Sequence, residues 1–271
     1  MKNKIGFMQG RLVSSEKKNR IQYFPEKNWK EEILLANRNN YKIMEWTVNI
    51  ENIKKNPIFN IKEIKNIKKY LSKNEIFVKS ITCDFFMQKP FFRNHKNRYI
   101  LKYLKRIIRN GQKLGIKYFI IPLVDQSSLK NKIQENLLIQ EMKKLKKILQ
   151  KDSKILFEID YEPNKLLVFI KKFQSLKYGI NYDTGNSAGL GFSFKTEKKY
   201  FKYVKNIHLK DKKVNGNTIR LGKGSFNFRI FFNFLKRIKY KGNLILQTCR
   251  AKNRDHEHEL NLNRKFIEKF L

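Results

Sequence analysis

The chain has 271 residues, of which 61 are Lys or Arg and 23 are Asp or Glu, a formal net charge of +38. Hydrophobic residues make up 41% and aromatic residues 13%, enough for a core, so intrinsic disorder is excluded, while only 12 Gly and 5 Pro exclude collagen-like and low-complexity classes. The two cysteines, Cys83 and Cys249, lie far apart and form no CxxC pair, which excludes a disulfide-stapled scaffold and suits a reducing compartment.

Along the chain, short apolar runs of β type alternate with helical patterns. Strand 4–8 is followed by a helical pattern near 29–36, strand 41–46 by 61–71, strand 76–82 by 99–114, and strand 118–122 by 133–149. Strand 155–159 is followed by 164–173, strand 178–182 by 195–203, strand 204–208 by 228–238, and strand 243–246 by 259–271. Eight βα units with no Pro- or Gly/Ser-rich linker and no shift in composition imply one α/β domain over 1–271, a (β/α)8 barrel. A doubly wound sheet would carry a phosphate loop after its first strand, and Gly6-Phe7-Met8-Gln9-Gly10 lacks the GxGxxG spacing.

Only Ile5 to Met8 follows the basic start, short of the roughly 7 to 15 apolar residues of a secretory signal. Tyr118 to Val124, among the longest apolar runs, is far below the roughly 20 residues of a spanning helix. A cytoplasmic protein without a membrane partner is expected. Between Asn94 and Leu114, Arg98, Lys102, Lys105, Arg106 and Arg109 fill the faces left by Ile100, Leu104, Ile107 and Ile108, the pattern of a solvated outer surface. The abundance of Lys, Asn, Ile and Phe matches A- and T-rich codons, so no specific nucleic-acid partner is expected.

In a (β/α)8 barrel the chemistry sits where strands end. Those ends carry Gln9 and Arg11, Glu45 and Trp46, Cys83 and Asp84, Asp125, Glu158, Asp183, His208, and finally Gln247 with Arg250. Glu158, Asp183 and His208 close three consecutive strands, and two carboxylates with one imidazole suit Mn²⁺, Mg²⁺, Co²⁺ or Zn²⁺. Any one of them alone would more simply cap a strand or pair with a lysine. The three at equivalent positions point to a metal centre.

Gly6-Phe7-Met8-Gln9-Gly10-Arg11-Leu12, the Glu158 strand, Asp183-Thr184-Gly185-Asn186, His208-Leu209-Lys210-Asp211 and Gly222-Lys223-Gly224 together resemble the xylose isomerase-like TIM-barrel superfamily, in its sugar phosphate isomerase/epimerase group. The resemblance spans the whole chain. It implies a divalent metal held by Glu158, Asp183, His208 and a fourth group on the eighth strand, beside a sugar cleft. That fourth group is usually Glu, and here it is Gln247.

Such enzymes remove a proton from the carbon beside a carbonyl, with a metal acting as Lewis acid and a carboxylate as base. Glu158 is the expected base and ligand. Gln247 cannot move a proton, although its amide oxygen can still ligate a metal, so one-base isomerisation or dehydration with Lys210 or His256 as second acid/base is expected in place of two-base epimerisation. Gln9, Arg11, Glu45, Lys223 and Arg250 are candidate contacts for a sugar or sugar phosphate, and Trp46, Phe85 and Phe86 could stack on its ring. A homodimer is left open. The alternatives are a non-catalytic carbohydrate-binding barrel and, further off, an endonuclease IV-like repair enzyme, whose trinuclear zinc site needs more histidines than the four present.

Overall fold

Each strand is apolar on the side that meets the helices, and each helix carries an apolar stripe that meets it. The resulting computed structural model describes residues 5–14, 22–51 and 53–271. Eight parallel strands, β1 (Ile5–Met8), β2 (Ile43–Val48), β3 (Phe77–Cys83), β4 (Tyr118–Leu123), β5 (Lys154–Ile159), β6 (Tyr178–Asp183), β7 (Val204–Leu209) and β8 (Asn243–Leu246), form a closed barrel. The order is sequential, and β8 returns to pair with β1 through Ile5 opposite Leu244. This is a single (β/α)8 TIM barrel. Lys4, assigned to the first strand from the sequence, lies outside the described residues.

The outer helices are α1 (Trp29–Arg38), α2 (Ile64–Lys73), α3 (Tyr99–Lys113), α4 (Lys132–Lys144), α5 (Pro163–Lys171), α6 (Phe194–Glu197), α7 (Phe228–Arg237) and α8 (His256–Glu268). In α3, Ile100, Leu104, Ile107 and Ile108 are buried at helical spacing, and the basic residues between them face out. Two helical patterns end differently from the sequence expectation. The 133–149 pattern tightens into a 3-10 turn at Leu145–Ile148, and α6 is one turn long before a 3-10 stretch, Lys198–Tyr203, takes over. In that stretch Tyr200 and Phe201 pack inward. The last helix begins at His256 because the Asp255 side chain accepts from the His258 amide at 3.1 Å and caps it.

Two register shifts matter below. Met44 and Glu45 pair with Val78 and Ser80, and Ile180 and Asn181 pair with Val204 and Asn206, so Lys79 and Lys205 are the extra residues of two β-bulges. Among the described residues no helix is long and apolar enough to cross a membrane.

Candidate active site

Residues two apart on a strand share a face, so Asn181 and Asp183 on β6, and Asn206 and His208 on β7, look into the barrel together. Glu158 on β5 completes the group. A carboxylate oxygen of Glu158, one of Asp183 and a ring nitrogen of His208 all lie within 4.8 Å of one another, and all three residues are buried. The geometry therefore brings together the three strand-end residues singled out in the sequence.

A connected polar layer holds them. Asn181 Nδ2 donates to Glu158 Oε2 at 2.8 Å, Asn206 Nδ2 donates to Asn181 Oδ1 at 2.8 Å and to Glu45 Oε2 at 3.0 Å, and Thr82 Oγ1 donates to Glu45 Oε1 at 2.6 Å. His208 lies between two carboxylates, its Nε2 2.7 Å from Glu45 Oε1 and its Nδ1 3.0 Å from Glu158 Oε2. Burial works against a charged ring, but Glu45 and Glu158 outweigh it and raise the His208 pKa to about 10. For Glu45, burial is likewise overcome by His208 and by hydrogen bonds, and its pKa is lowered. Flanked in this way the ring favours its protonated form, and a metal ion held by His208 would have to replace a proton.

Asp183 has both oxygens engaged: Oδ1 accepts from the Asn186 amide at 2.9 Å, and Oδ2 lies 3.0 Å from Lys210 Nζ. Burial opposes its charge, yet Lys210 and His208 hold its pKa down, while Asp183 and Glu158 raise that of Lys210 against its own burial. Asn186 also donates to Glu158 Oε1 at 3.1 Å. Just past β8, Gln247 lies two residues beyond Ile245, the partner of His208, and so faces the same interior. Its Nε2 donates to Gln22 Oε1 at 2.7 Å, whereas its Oε1 is buried with no hydrogen-bond partner. Two carboxylates, an imidazole and an unpartnered amide oxygen make a donor set that fits a divalent cation.

The other candidates divide. Gln9 is buried, its Oε1 accepting from the Thr47 amide at 3.1 Å and its Nε2 without a partner. Arg11 is buried and donates through Nε to the Thr248 carbonyl at 3.0 Å, its pKa lowered to about 10 by burial and by Arg250. Arg250 donates to the carbonyls of Gly10 and Val13 and lies over the Tyr23 ring. It ties the loop after β8 to the loop after β1. That first loop needs glycine at Gly10, where φ is +87° and a Cβ would sit 2.6 Å from the Tyr23 carbonyl. His256, at the start of α8, is 8% exposed, and burial together with Arg250 pushes its pKa down to about 4. Lys223 is exposed on a loop anchored by the Gly222 and Gly224 amides, each 2.9 Å from Asp211 Oδ2.

Two expectations are corrected. Glu45 was a candidate sugar contact, but it is fully buried with its oxygens committed to His208, Thr82 and Asn206. Trp46, one residue on, points the opposite way. It packs against Trp29 of α1 and Phe24, and its Nε1 donates to Asn56 at 3.1 Å, so it offers no face to a sugar. Phe85 and Phe86 are fully buried core residues too. Cys83 and Cys249 are free thiols.

Sequence reasoning passed over Glu32 in α1, a buried carboxylate accepting from the Gly10 and Leu12 amides at 2.7 Å and 3.0 Å, with a pKa raised to about 7 by burial. It also gave no weight to the link from Asp84 through Gln22 to Gln247, in which Gln22 Nε2 lies 2.7 Å from Asp84 Oδ1. Burial raises the Asp84 pKa to about 7. Asn181 and Asn206 were legible in principle, since each stands two residues before a singled-out residue on the same strand.

The family model described as xylose isomerase-like TIM barrel matches residues 33–269. A xylose isomerase domain protein from Planctomyces limnophilus has 14% identity and a TM-score of 0.74, covering 98% of this chain and 96% of its own. A structure titled IOLI protein with a binding zinc atom has 15% identity and a TM-score of 0.74, covering 99% of each chain. D-psicose 3-epimerase with D-tagatose, from Clostridium cellulolyticum H10, has 12% identity and a TM-score of 0.73, also covering 99% of each. At these identities the likeness speaks for the fold. No curated protein matches the chain in sequence.

Proposed function

The chain belongs to the xylose isomerase-like TIM barrel family, and we propose that it is a metal-dependent isomerase or epimerase of a sugar or sugar phosphate. The observation that carries this is the convergence of Glu158, Asp183 and His208 within 4.8 Å at the ends of three adjacent strands. Glu158, Asp183, His208 and the free oxygen of Gln247 are the residues that would hold a divalent ion, Mn²⁺, Mg²⁺, Co²⁺ or Zn²⁺. When bound, such an ion supplies Lewis acidity toward a carbonyl and its neighbouring hydroxyl.

Glu158 is the base we assign to the proton beside the carbonyl, its carboxylate oriented by Asn181 and Asn186 at 2.8 Å and 3.1 Å. Lys210, 3.0 Å from Asp183, is the group we assign to returning a proton. His256, whose pKa burial and Arg250 push down to about 4, is the alternative second acid/base. Gln9, Arg11, Lys223 and Arg250 remain the proposed contacts for sugar hydroxyls or an acidic substituent. With Gln247 unable to carry a proton, one-base chemistry follows in place of two-base epimerisation. The same residue favours a second reading, a barrel that binds carbohydrate without turnover.

Incubating the manganese-loaded protein with aldoses, ketoses and their phosphates in D₂O tests the proposal. Deuterium should enter the carbon beside the carbonyl of at least one of them, and Glu158→Gln should abolish it. Saturable sugar binding without deuterium entering any bound sugar would replace the enzyme by the non-catalytic binder.

A further inference from the structure

The active-site end of the barrel holds the buried carboxylates of Glu45, Glu158 and Asp183; the opposite end, where strands begin, is rich in lysines. Lys42, Lys117 and Lys177 precede the first residues of β2, β4 and β6, Lys154 opens β5, Lys205 is second in β7, Lys79 third in β3, and Lys241 stands two before β8. Seven of the eight strands thus place a lysine within two residues of their start, at the rim of a closed barrel. Helical amphipathicity, which accounts for the basic outer faces, does not produce this arrangement. Two of the seven, Lys79 and Lys205, are the extra residues of the bulges, so the strand pairing itself is distorted where they insert.

Few carboxylates answer this charge. Glu75 pairs with Lys42, Asp152 lies 3.4 Å from Lys117, and Glu268 lies 3.9 Å from Arg264 at the edge of the same face. Lys154, Lys177 and Lys205 donate instead to the backbone carbonyls of Leu176, Lys151 and Lys202, neutral partners that satisfy hydrogen bonds without adding a negative charge. Burial, with Lys205 and Lys177 nearby, pushes the Lys154 pKa down despite the opposing pull of Asp152, as expected of ammonium groups crowded together. Apolar side chains stand among them: Leu176 is 88% exposed and Phe77 is 58% exposed. Phe77 borders a cleft of about 570 Å³ that it shares with Lys42, Lys79, Tyr41 and Arg264.

We propose that this face docks on an anionic lipid bilayer, the lysine rim meeting phosphate headgroups while Leu176 and Phe77 enter the headgroup boundary. A rim of point charges with exposed apolar residues beside it suits a planar surface, where each basic residue adds attraction and each buried apolar group adds affinity. A nucleic-acid groove would gain nothing from a leucine standing in solvent. Because the strand ends lie at the opposite pole, the active site would face away from the membrane.

Flotation with vesicles of phosphatidylcholine, with and without an equal part of phosphatidylglycerol, reads this directly. The wild-type chain should float only with the anionic vesicles. The triple variant Lys79→Glu, Lys154→Glu, Lys205→Glu should bind them at least about ten-fold more weakly. Lys65→Glu, Lys102→Glu, Lys105→Glu, the same charge change on outer helix faces, should bind close to wild type. Leu176→Ser should lower affinity without altering its salt dependence. Circular dichroism shows whether each variant is folded. Equal losses in the two triple variants, or unchanged binding by the rim variant, would overturn the proposal. So would rim-dependent affinity for duplex DNA exceeding that for the vesicles, which would make nucleic acid the occupant.

Discussion

His208 Nε2 and Glu45 Oε1 stand 2.7 Å apart, joining β7 to β2 across the interior of the barrel with both side chains fully excluded from solvent. The contact fixes the orientation of the imidazole and turns its Nδ1 toward Glu158. A partner of this kind typically contributes 10- to 100-fold to metal affinity. Glu45→Gln is therefore expected to weaken Mn²⁺ binding by about ten-fold with the fold intact. Glu45→Ala leaves a buried cation with one partner and should cost about 3–5 kcal/mol of stability. Calorimetric titration reads the first variant and urea denaturation the second.

Gln247 is the site residue at which chemistry and sequence resemblance part. Its unpartnered oxygen is a neutral donor. A carboxylate there adds one negative charge near a divalent ion, worth about 8 kcal/mol at 4 Å and an effective dielectric of about 20, before desolvation is subtracted. Gln247→Glu should consequently tighten Mn²⁺ binding by about ten-fold or more. Unchanged affinity would remove Gln247 from the ligand set.

Glu32 gives the fold a pH dependence of definite sign. Burial raises its pKa from 4.5 to about 7, so between these values the folded chain binds a proton that the unfolded chain has released. Stability is expected to fall as pH rises from about 4.5 to about 7, by about 3 kcal/mol from this group. Glu32→Gln, which keeps an acceptor for the Gly10 and Leu12 amides, should flatten that slope. Urea midpoints at pH 5, 6, 7 and 8 for both proteins make the comparison.

Trp46 carries a prediction that separates packing from recognition. Its ring centroid lies 5.8 Å from that of Trp29 and 5.7 Å from that of Phe24, away from the barrel interior. Trp46→Ala should destabilise the chain by about 3–5 kcal/mol, while Mn²⁺ affinity of the folded fraction stays as in the parent. A change in metal or sugar affinity without loss of stability would place the ring in the site.

The barrel was legible because each βα unit repeats one hydrophobic alternation, and the last residues of each strand then fall on one rim. Glu158, Asp183 and His208 could be grouped from that rule alone. Which way a rim residue faces was harder. Glu45 and Trp46 are neighbours on β2 and point to opposite sides, and only the period-2 phase of the strand, set by Met44 packing outward, tells them apart. The bulges at Lys79 and Lys205 shift that phase by one residue, and no local residue pattern announces them. Nor could the sequence show that Asn39, Gln22 or Arg250 ties loops more than two hundred residues apart, since such contacts exist only once the barrel closes.

Calorimetric titration of Mn²⁺ into the wild-type chain, Glu158→Ala and His208→Ala tests the metal centre most directly. The expected result is saturable binding at one site in the parent and its loss in both variants, with each variant folded by circular dichroism. Parent-like affinity in folded Glu158→Ala and His208→Ala would contradict it.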